Sequence, residues 1–98
     1  MNPEDDEAAR RAEVDRAHRA RQILDDALFK EAVQAVKDDT LRMFSDSSLN
    51  DDHARLLARL RLDCLDKVVG QLLTHVRTGE LAEKQLPLIE RAVKAIRR

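Results

Sequence analysis

The sequence has almost no aromatic side chains, with two Phe and neither Trp nor Tyr among its 98 residues. It also has one Cys, two Gly and two Pro. A single Cys excludes an intramolecular disulfide, and so few Gly and Pro leave little room for tight turns or a glycine-rich phosphate loop. A core must therefore consist of Leu, Val, Ile and Ala, in one small domain. The composition strongly favours helix.

Long apolar runs are absent too. The chain shows no signal peptide and no apolar stretch of membrane-spanning length, which predicts a soluble protein of the cytoplasm with no membrane partner. Charged residues make up 38% of the chain, yet the net charge is −1, so no global field draws it to nucleic acid. Residues 1–50 carry 12 acidic and 8 basic residues, and residues 51–98 carry 7 and 10. The two halves could attract each other, within a protomer or between protomers.

The stretch from Asn50 to Gly79 predicts the central helix. Asn50 is a favourable N-cap and Gly79 a typical residue just past a helix end. Eleven apolar residues fall on one side at 100° per residue, and this face includes Cys64 as a small core residue: Ala54, Leu57, Ala58, Leu62, Cys64, Leu65, Val68, Val69, Leu72, Leu73 and Val76. Leu56 and Leu60 fall outside that face. The apolar surface therefore exceeds what one neighbouring helix covers.

The residues before this helix divide into a charged arm, 1–25, and a second amphipathic helix, about 26–44. Asn2 and Pro3 suit a helix start, but the arm carries mostly charge and Ala, so we expect it to project or fray unless a partner holds it. Two alternatives remain for the junction. Either one helix runs from residue 4 to 44, or Asp25 caps a new helix; the sequence slightly favours a break or kink at residues 25–26.

The predicted fold is all-α, with an antiparallel helical hairpin as its core. The Ser-rich segment 45–49 is short, so the helices on either side should pack against each other over residues 26–79. Pro87 cannot lie deep inside a helix without losing a hydrogen bond, which predicts a separate short helix and basic tail in residues 80–98. In that helix Leu86, Ile89, Val93 and Ile96 repeat at heptad spacing. The prediction is an oligomer.

No constellation of residues points to catalysis or metal binding. Cys64 and His75 lie about 16 Å apart along one helix, too far to share a metal ion. The neighbouring acids, such as Asp25 and Asp26, diverge by about 100° on a helix and do not form a catalytic dyad. We therefore expect a protein that is not an enzyme and binds no cofactor.

Two sets of residues are predicted to bind partners. The interface with another subunit or protein should include the leucines outside the packed face, the one Arg within it, and apolar residues of the last helix: Leu56, Leu60, Arg61, Val93 and Ile96. Arg61 either covers apolar surface with its stem or forms an ion pair across an interface, for which Asp39 is a plausible partner. A DNA contact, if the chain makes one, should use the basic tail: Arg91, Lys94, Arg97 and Arg98.

Residues 23–86 resemble a group of small helical proteins of tailed phages and prophages, encoded with their DNA-packaging and head genes. The resemblance rests on the segment from Ile23 to Ala32, the long second helix, and Thr78-Gly79-Glu80-Leu81-Ala82. Many relatives have Asn-Pro where this chain has Asp26-Ala27, and a Trp near Phe44. The resemblance implies a small-terminase-like or head-assembly protein, with a large terminase or another phage protein as its partner. The chain lacks the helix-turn-helix of many small terminases, which argues against direct DNA recognition.

Three functions follow as hypotheses. The first is a self-associating helical protein of phage DNA packaging or head assembly, acting in the bacterial cytoplasm. The second is a small phage inhibitor or adaptor that binds a host protein through its charged surface. The third is a DNA-binding module that uses the basic C-terminal tail, whose binding would fall steeply with salt.

Overall fold

A computed structural model describes residues 2–46, 48 and 51–97 of the chain. It contains three helices, α1 (Pro3–Asp25), α2 (Ala27–Asp46) and α3 (Asp52–Arg97). No strand occurs in these described ranges, which confirms the predicted all-α class. None of the described helices is both long and apolar enough to cross a membrane.

The start of α1 follows from its first residues. The side-chain oxygen of Asn2 accepts a hydrogen bond from the backbone N–H of Glu4, at 3.1 Å. Pro3 occupies the first helical position, where its missing N–H costs nothing, and acids occupy the first turn: Glu4, Asp5 and Asp6. The predicted N-terminal cap is therefore confirmed.

The junction between α1 and α2 is a break at Asp26. The Asp26 carboxylate accepts a hydrogen bond from the backbone N–H of Phe29 at 2.9 Å, the usual bond from an N-cap residue to the third residue of its helix. The preference for a break over one continuous helix is confirmed. The capping residue is Asp26, however, one position later than the predicted Asp25, and α2 extends to Asp46 rather than ending near residue 44.

The start of α3 is capped in the same way. The Asp51 carboxylate accepts a hydrogen bond from the backbone N–H of Ala54 at 3.0 Å, so Asp51 is the cap and Asp52 the first helical residue. Asn50, the predicted cap, lies outside the described residues. Acidic side chains at this end also interact favourably with the helix dipole.

The end of α3 contradicts the sequence prediction. The helix continues through Gly79 and Pro87 to Arg97, a length of 46 residues, so the predicted stop at Gly79 and the separate helix beginning at Pro87 are both wrong. No glycine of the described ranges has a positive φ, and Gly79 therefore does not adopt the left-handed conformation of a helix-ending residue.

Pro87 lies inside α3. Proline has no N–H to donate to the carbonyl of Glu83, which costs about 3 kcal/mol in a helix interior. Residues on both sides are anchored by burial: Ala82 is fully buried and Val93 is 3% exposed. Because this packing fixes the helix before and after Pro87, it offsets the lost hydrogen bond.

The chain divides into two compact units. Unit 1 consists of Met1–Ile23 and Leu72–Arg98, and unit 2 of Leu24–Gln71. The helix α3 contributes its first part to unit 2 and the remainder to unit 1.

In unit 1, α1 and the last part of α3 run antiparallel and are joined by exposed ion pairs. Glu4 pairs with Arg97 at 3.1 Å, Arg11 with Glu90 at 3.0 Å, and Arg21 with Glu80 at 3.3 Å. His18 lies 3.5 Å from Glu83. Along α1, Glu4, Arg11 and His18 are seven residues apart. Their partners on α3 are also seven residues apart, in the opposite direction: Arg97, Glu90 and Glu83. This spacing is the repeat of an antiparallel coiled coil.

The seam of unit 1 is made of small side chains. The buried residues are Ala17, Ala20, Gly79, Ala82 and Val93. A Cβ atom added to Gly79 would collide with the Cβ of Ala17 and would lie 3.1 Å from the carbonyl oxygen of Glu13. Gly79 thus permits the close approach of two helices. The expectation that residues 1–25 project as a poorly anchored arm is wrong, because α1 is packed along this seam.

In unit 2, α2 runs antiparallel to the first part of α3. Met43 contacts Arg61, and Phe44 contacts Arg55, while Phe29 and Val33, earlier in α2, share a cleft with Val69. The predicted antiparallel hairpin is present here. Its contact stripe is narrow. Among the described residues of this unit, Thr40 and Ala58 alone are buried, and the Thr40 hydroxyl donates a hydrogen bond to the carbonyl of Val36 at 2.7 Å.

Candidate interaction surfaces

Unit 2 exposes a large share of its apolar side chains. Two helices cover each other only along one stripe, so a large residue beside that stripe stays in water. Leu28 is 73% exposed and Leu41 58%. The exposed set in this unit comprises Leu28, Val36, Leu41, Phe44, Leu56, Leu57, Leu60 and Val68. Exposed large apolar side chains of this kind are candidates for an interaction site.

The predicted interface leucines lie in this exposed set. Leu56 is 54% exposed and Leu60 49%, so both are accessible to a partner. Leu57, Cys64 and Val68 were predicted to lie in the packed face, but all three are exposed. The side of α3 that lies beside α2 includes Ala58, Leu62 and Val69, which line clefts with residues of α2.

Arg61 is exposed and extends along the surface of unit 2. Its guanidinium lies 3.7 Å from the sulfur of Met43. Asp39, the partner suggested by the sequence, instead forms an ion pair with Arg42 at 3.2 Å within α2. An ion pair between Asp39 and Arg61 is therefore not formed within the described chain, and a pair between subunits stays a prediction.

An apolar cleft opens between α2 and α3 in unit 2, with a volume of about 250 Å³. Its apolar lining is Leu41, Phe44, Ala58 and Leu62, with Thr40 beside them and two arginines at its edge, Arg55 and Arg59. The guanidinium of Arg55 lies 5.9 Å from the centre of the Phe44 ring, a cation–π distance. Sequence reasoning missed this cleft, because it combines residues of two helices that each look unremarkable alone.

The last part of α3 departs from the predicted interface. Val93 is 3% exposed and lies beside Glu7 and Arg11 of α1. Its side chain is covered within unit 1 and is not available to a partner, so its assignment to an intersubunit interface is wrong. Ile96, in contrast, is 62% exposed and can contact another molecule.

The basic tail is partly neutralised. Arg97 pairs with Glu4, whereas Arg91 and Lys94 are exposed and form no ion pair among the described residues. Arg98 lies outside the described residues. Of the four positions predicted to contact DNA, two therefore present unpaired positive charge.

Arg11 is the centre of a surface network in unit 1. It bonds Glu7 on its own helix at 2.8 Å and Glu90 on α3 at 3.0 Å. The hydrogen bond and charge of Glu7, and then the charge of Glu90, raise the pKa of Arg11 above its ordinary value. Arg11 thus links the two helices of unit 1 through an exposed pair of ionic contacts.

Groups that could perform chemistry are dispersed. Cys64 is a free, exposed thiol, which corrects its predicted place in the core. Within the described ranges no group of three His, Cys, Asp or Glu side chains is arranged to hold a metal ion. The surfaces of unit 2 are accordingly the strongest candidates for a functional site.

No protein-family model, curated protein or solved structure matches this chain. The function must therefore be inferred from its own surfaces.

Proposed function

We propose that this protein is a non-enzymatic helical assembly protein that works by associating with copies of itself. One observation carries the proposal: among its described residues, unit 2 leaves eight large apolar side chains 39–73% exposed. Exposed apolar area contributes roughly 25 cal/mol per Å² when it is removed from water. A neighbouring copy offers the same kind of surface, and burial between copies would supply the core that two helices cannot form alone.

The biological setting that we propose is phage DNA packaging or head assembly. Its support is the resemblance of residues 23–86 to small helical proteins of those gene regions. In this role the oligomer would bind a packaging enzyme or a head protein rather than perform chemistry. Two results together would contradict this setting. The gene would lie outside the phage head and packaging genes, and its deletion would leave normal DNA-filled heads.

Light scattering coupled to size-exclusion chromatography tests self-association directly. We expect a mass that is a multiple of the 11.2 kDa chain at micromolar concentrations. A mass of one chain at every concentration would contradict the proposal. It would favour the second hypothesis, an adaptor or inhibitor that binds a host protein through its charged surface.

A further inference from the structure

We propose that unit 2 of one copy docks onto unit 2 of the next copy by placing Leu28 in the neighbour's apolar cleft. The inference rests on the proposed self-association and names the surfaces that meet. The knob is Leu28 with the acids around it, and the cleft is the one lined by Leu41, Phe44, Ala58 and Leu62 with Arg55 and Arg59 at its edge.

Leu28 is the most exposed large apolar side chain of the described residues, at 73%. It lies in the first turn of α2. Glu31 follows three residues later on the same helical face, and Asp25 and Asp26 precede the turn. No ion pair of the described residues includes any of these three acids. Leu28 is thus an exposed apolar side chain close in sequence to three acids without ion pairs among the described residues, one of which, Asp26, also caps α2.

The cleft is complementary to the knob in size, polarity and charge. Its volume of about 250 Å³ accommodates one large aliphatic side chain and its immediate neighbours. Its lining is mainly apolar and includes the side chains of two basic residues, Arg55 and Arg59. Neither forms an ion pair among the described residues. An apolar anchor in a pocket with opposite charges at the rim is the usual arrangement of a binding hot spot.

The knob and the cleft lie on opposite sides of α2. Phe29 and Thr40 face α3. Leu28 immediately precedes Phe29, and Leu41 immediately follows Thr40. At 100° per residue these two leucines point about 140° apart, and they are separated by about 20 Å along the helix. One copy therefore cannot offer both features to the same neighbour on a single face.

The consequence is a head-to-tail contact. Each copy inserts its knob into one neighbour and receives the knob of another, which is a heterologous interface. Such a contact propagates beyond a dimer, either closing into a ring or continuing as a filament. A two-fold dimer made by one shared patch does not follow from this geometry.

The test uses two variants, each of which removes one half of the contact. Leu28→Asp removes the knob, and its new charge lies in the first turn of α2, where the helix dipole favours it. Leu41→Asp alters the cleft at a position that is 58% exposed. The matched control is Leu88→Asp in unit 1, where Leu88 is 66% exposed. Circular dichroism establishes that all three variants remain helical.

We expect the full-length protein to exceed the mass of two chains, and both variants to fall to 11.2 kDa, while Leu88→Asp keeps the original mass. Equal amounts of the two variants should combine into a species of two chains, because one intact knob and one intact cleft remain. In one chain, Arg59→Glu should weaken assembly and the addition of Glu31→Arg should restore it.

The possible failures are distinguishable. If the full-length protein is a single chain, the proposed self-association is wrong, and the cleft is open to an acidic apolar segment of another protein. A full-length protein that stops at two chains contradicts the head-to-tail geometry. If Leu28→Asp or Leu41→Asp assembles like the original, or if their mixture stays monomeric, self-association stands and the knob-and-cleft contact is wrong.

Discussion

Units 1 and 2 are both antiparallel helix pairs, but they use side chains of different size. Unit 1 buries Ala17, Ala20, Gly79 and Ala82 at its seam, and unit 2 builds its contact mainly from Leu, Val and Phe. Small side chains let the two helices of unit 1 approach closely, although five large apolar side chains away from the seam stay exposed: Ile23, Leu73, Leu81, Leu88 and Ile96. Large side chains extend beyond a two-helix contact and need a third element. Unit 1 is therefore closely packed along its seam, whereas unit 2 has a looser contact with eight large apolar side chains exposed among its described residues.

The largest effect that we predict comes from Gly79→Leu. A side chain at this position would collide with Ala17, so α1 must move away and the free energy of unfolding should fall by about 3 kcal/mol, the upper range for overpacking. Urea denaturation followed by circular dichroism measures this change. Gly70→Leu is the matched control, since a Cβ at Gly70 meets nothing within 4 Å and the better helix propensity of Leu should add about 0.8 kcal/mol. Equal losses would refute the close approach in unit 1.

A smaller effect should distinguish the two sides of α3 in unit 2. Leu65 is half-buried on the contact stripe, and Leu65→Asp should lower the free energy of unfolding by about 2 kcal/mol, through lost apolar burial and a poorly solvated charge. Leu60 is 49% exposed, and Leu60→Asp should change stability by at most about 0.5 kcal/mol while reducing self-association. Denaturation and light scattering measure the two responses. Identical behaviour would mean that unit 2 has no open side.

The smallest effect should come from the ion pairs of unit 1. Glu80 and Arg21 are 57% and 36% exposed, and exposed ion pairs contribute less than about 1 kcal/mol. Glu80→Gln should therefore change the free energy of unfolding by no more than this, and the change should shrink at high salt. Asp66→Asn, at an exposed acid without an ion pair among the described residues, is the control. A loss as large as that of Gly79→Leu would mean that charge, rather than the small-residue seam, holds unit 1 together.

Local signals in the sequence predicted much of the fold. The caps follow from short-range chemistry that one helical turn contains, so the start at Asn2 and Pro3 and the break near Asp26 could be recognised. The antiparallel pairing in unit 2 follows from large apolar residues at helical spacing. The exposure of Leu56 and Leu60 follows from their angle to that face. Each of these features depends on residues within a few positions of one another.

The features that the sequence reading missed depend on distant partners. A Gly next to a basic helical turn is typical of a helix end, but Gly79 serves the approach of Ala17, more than sixty residues earlier. The packing of α1 was missed because its seam contains Ala rather than large apolar residues. One pattern in the sequence does indicate the packing of α1. Glu4 and Arg11 are seven residues apart, and so are Arg97 and Glu90, so that each acid can pair with a base on the other helix. The cleft of unit 2 has no comparable pattern in the sequence, because residues of two helices line it.

The pairing of Glu4 with Arg97 has a consequence for the order in which the chain folds. The contacts of unit 2 join residues that are close in sequence, such as Met43 and Arg61, and contacts of this kind form early. In unit 1, α1 is synthesised before the last part of α3 and cannot pair with it until that part has been made. Unit 2 should thus form while α1 is still without its partner helix. Because α1 consists mainly of Ala and charged residues, it exposes little apolar surface before the last part of α3 is made.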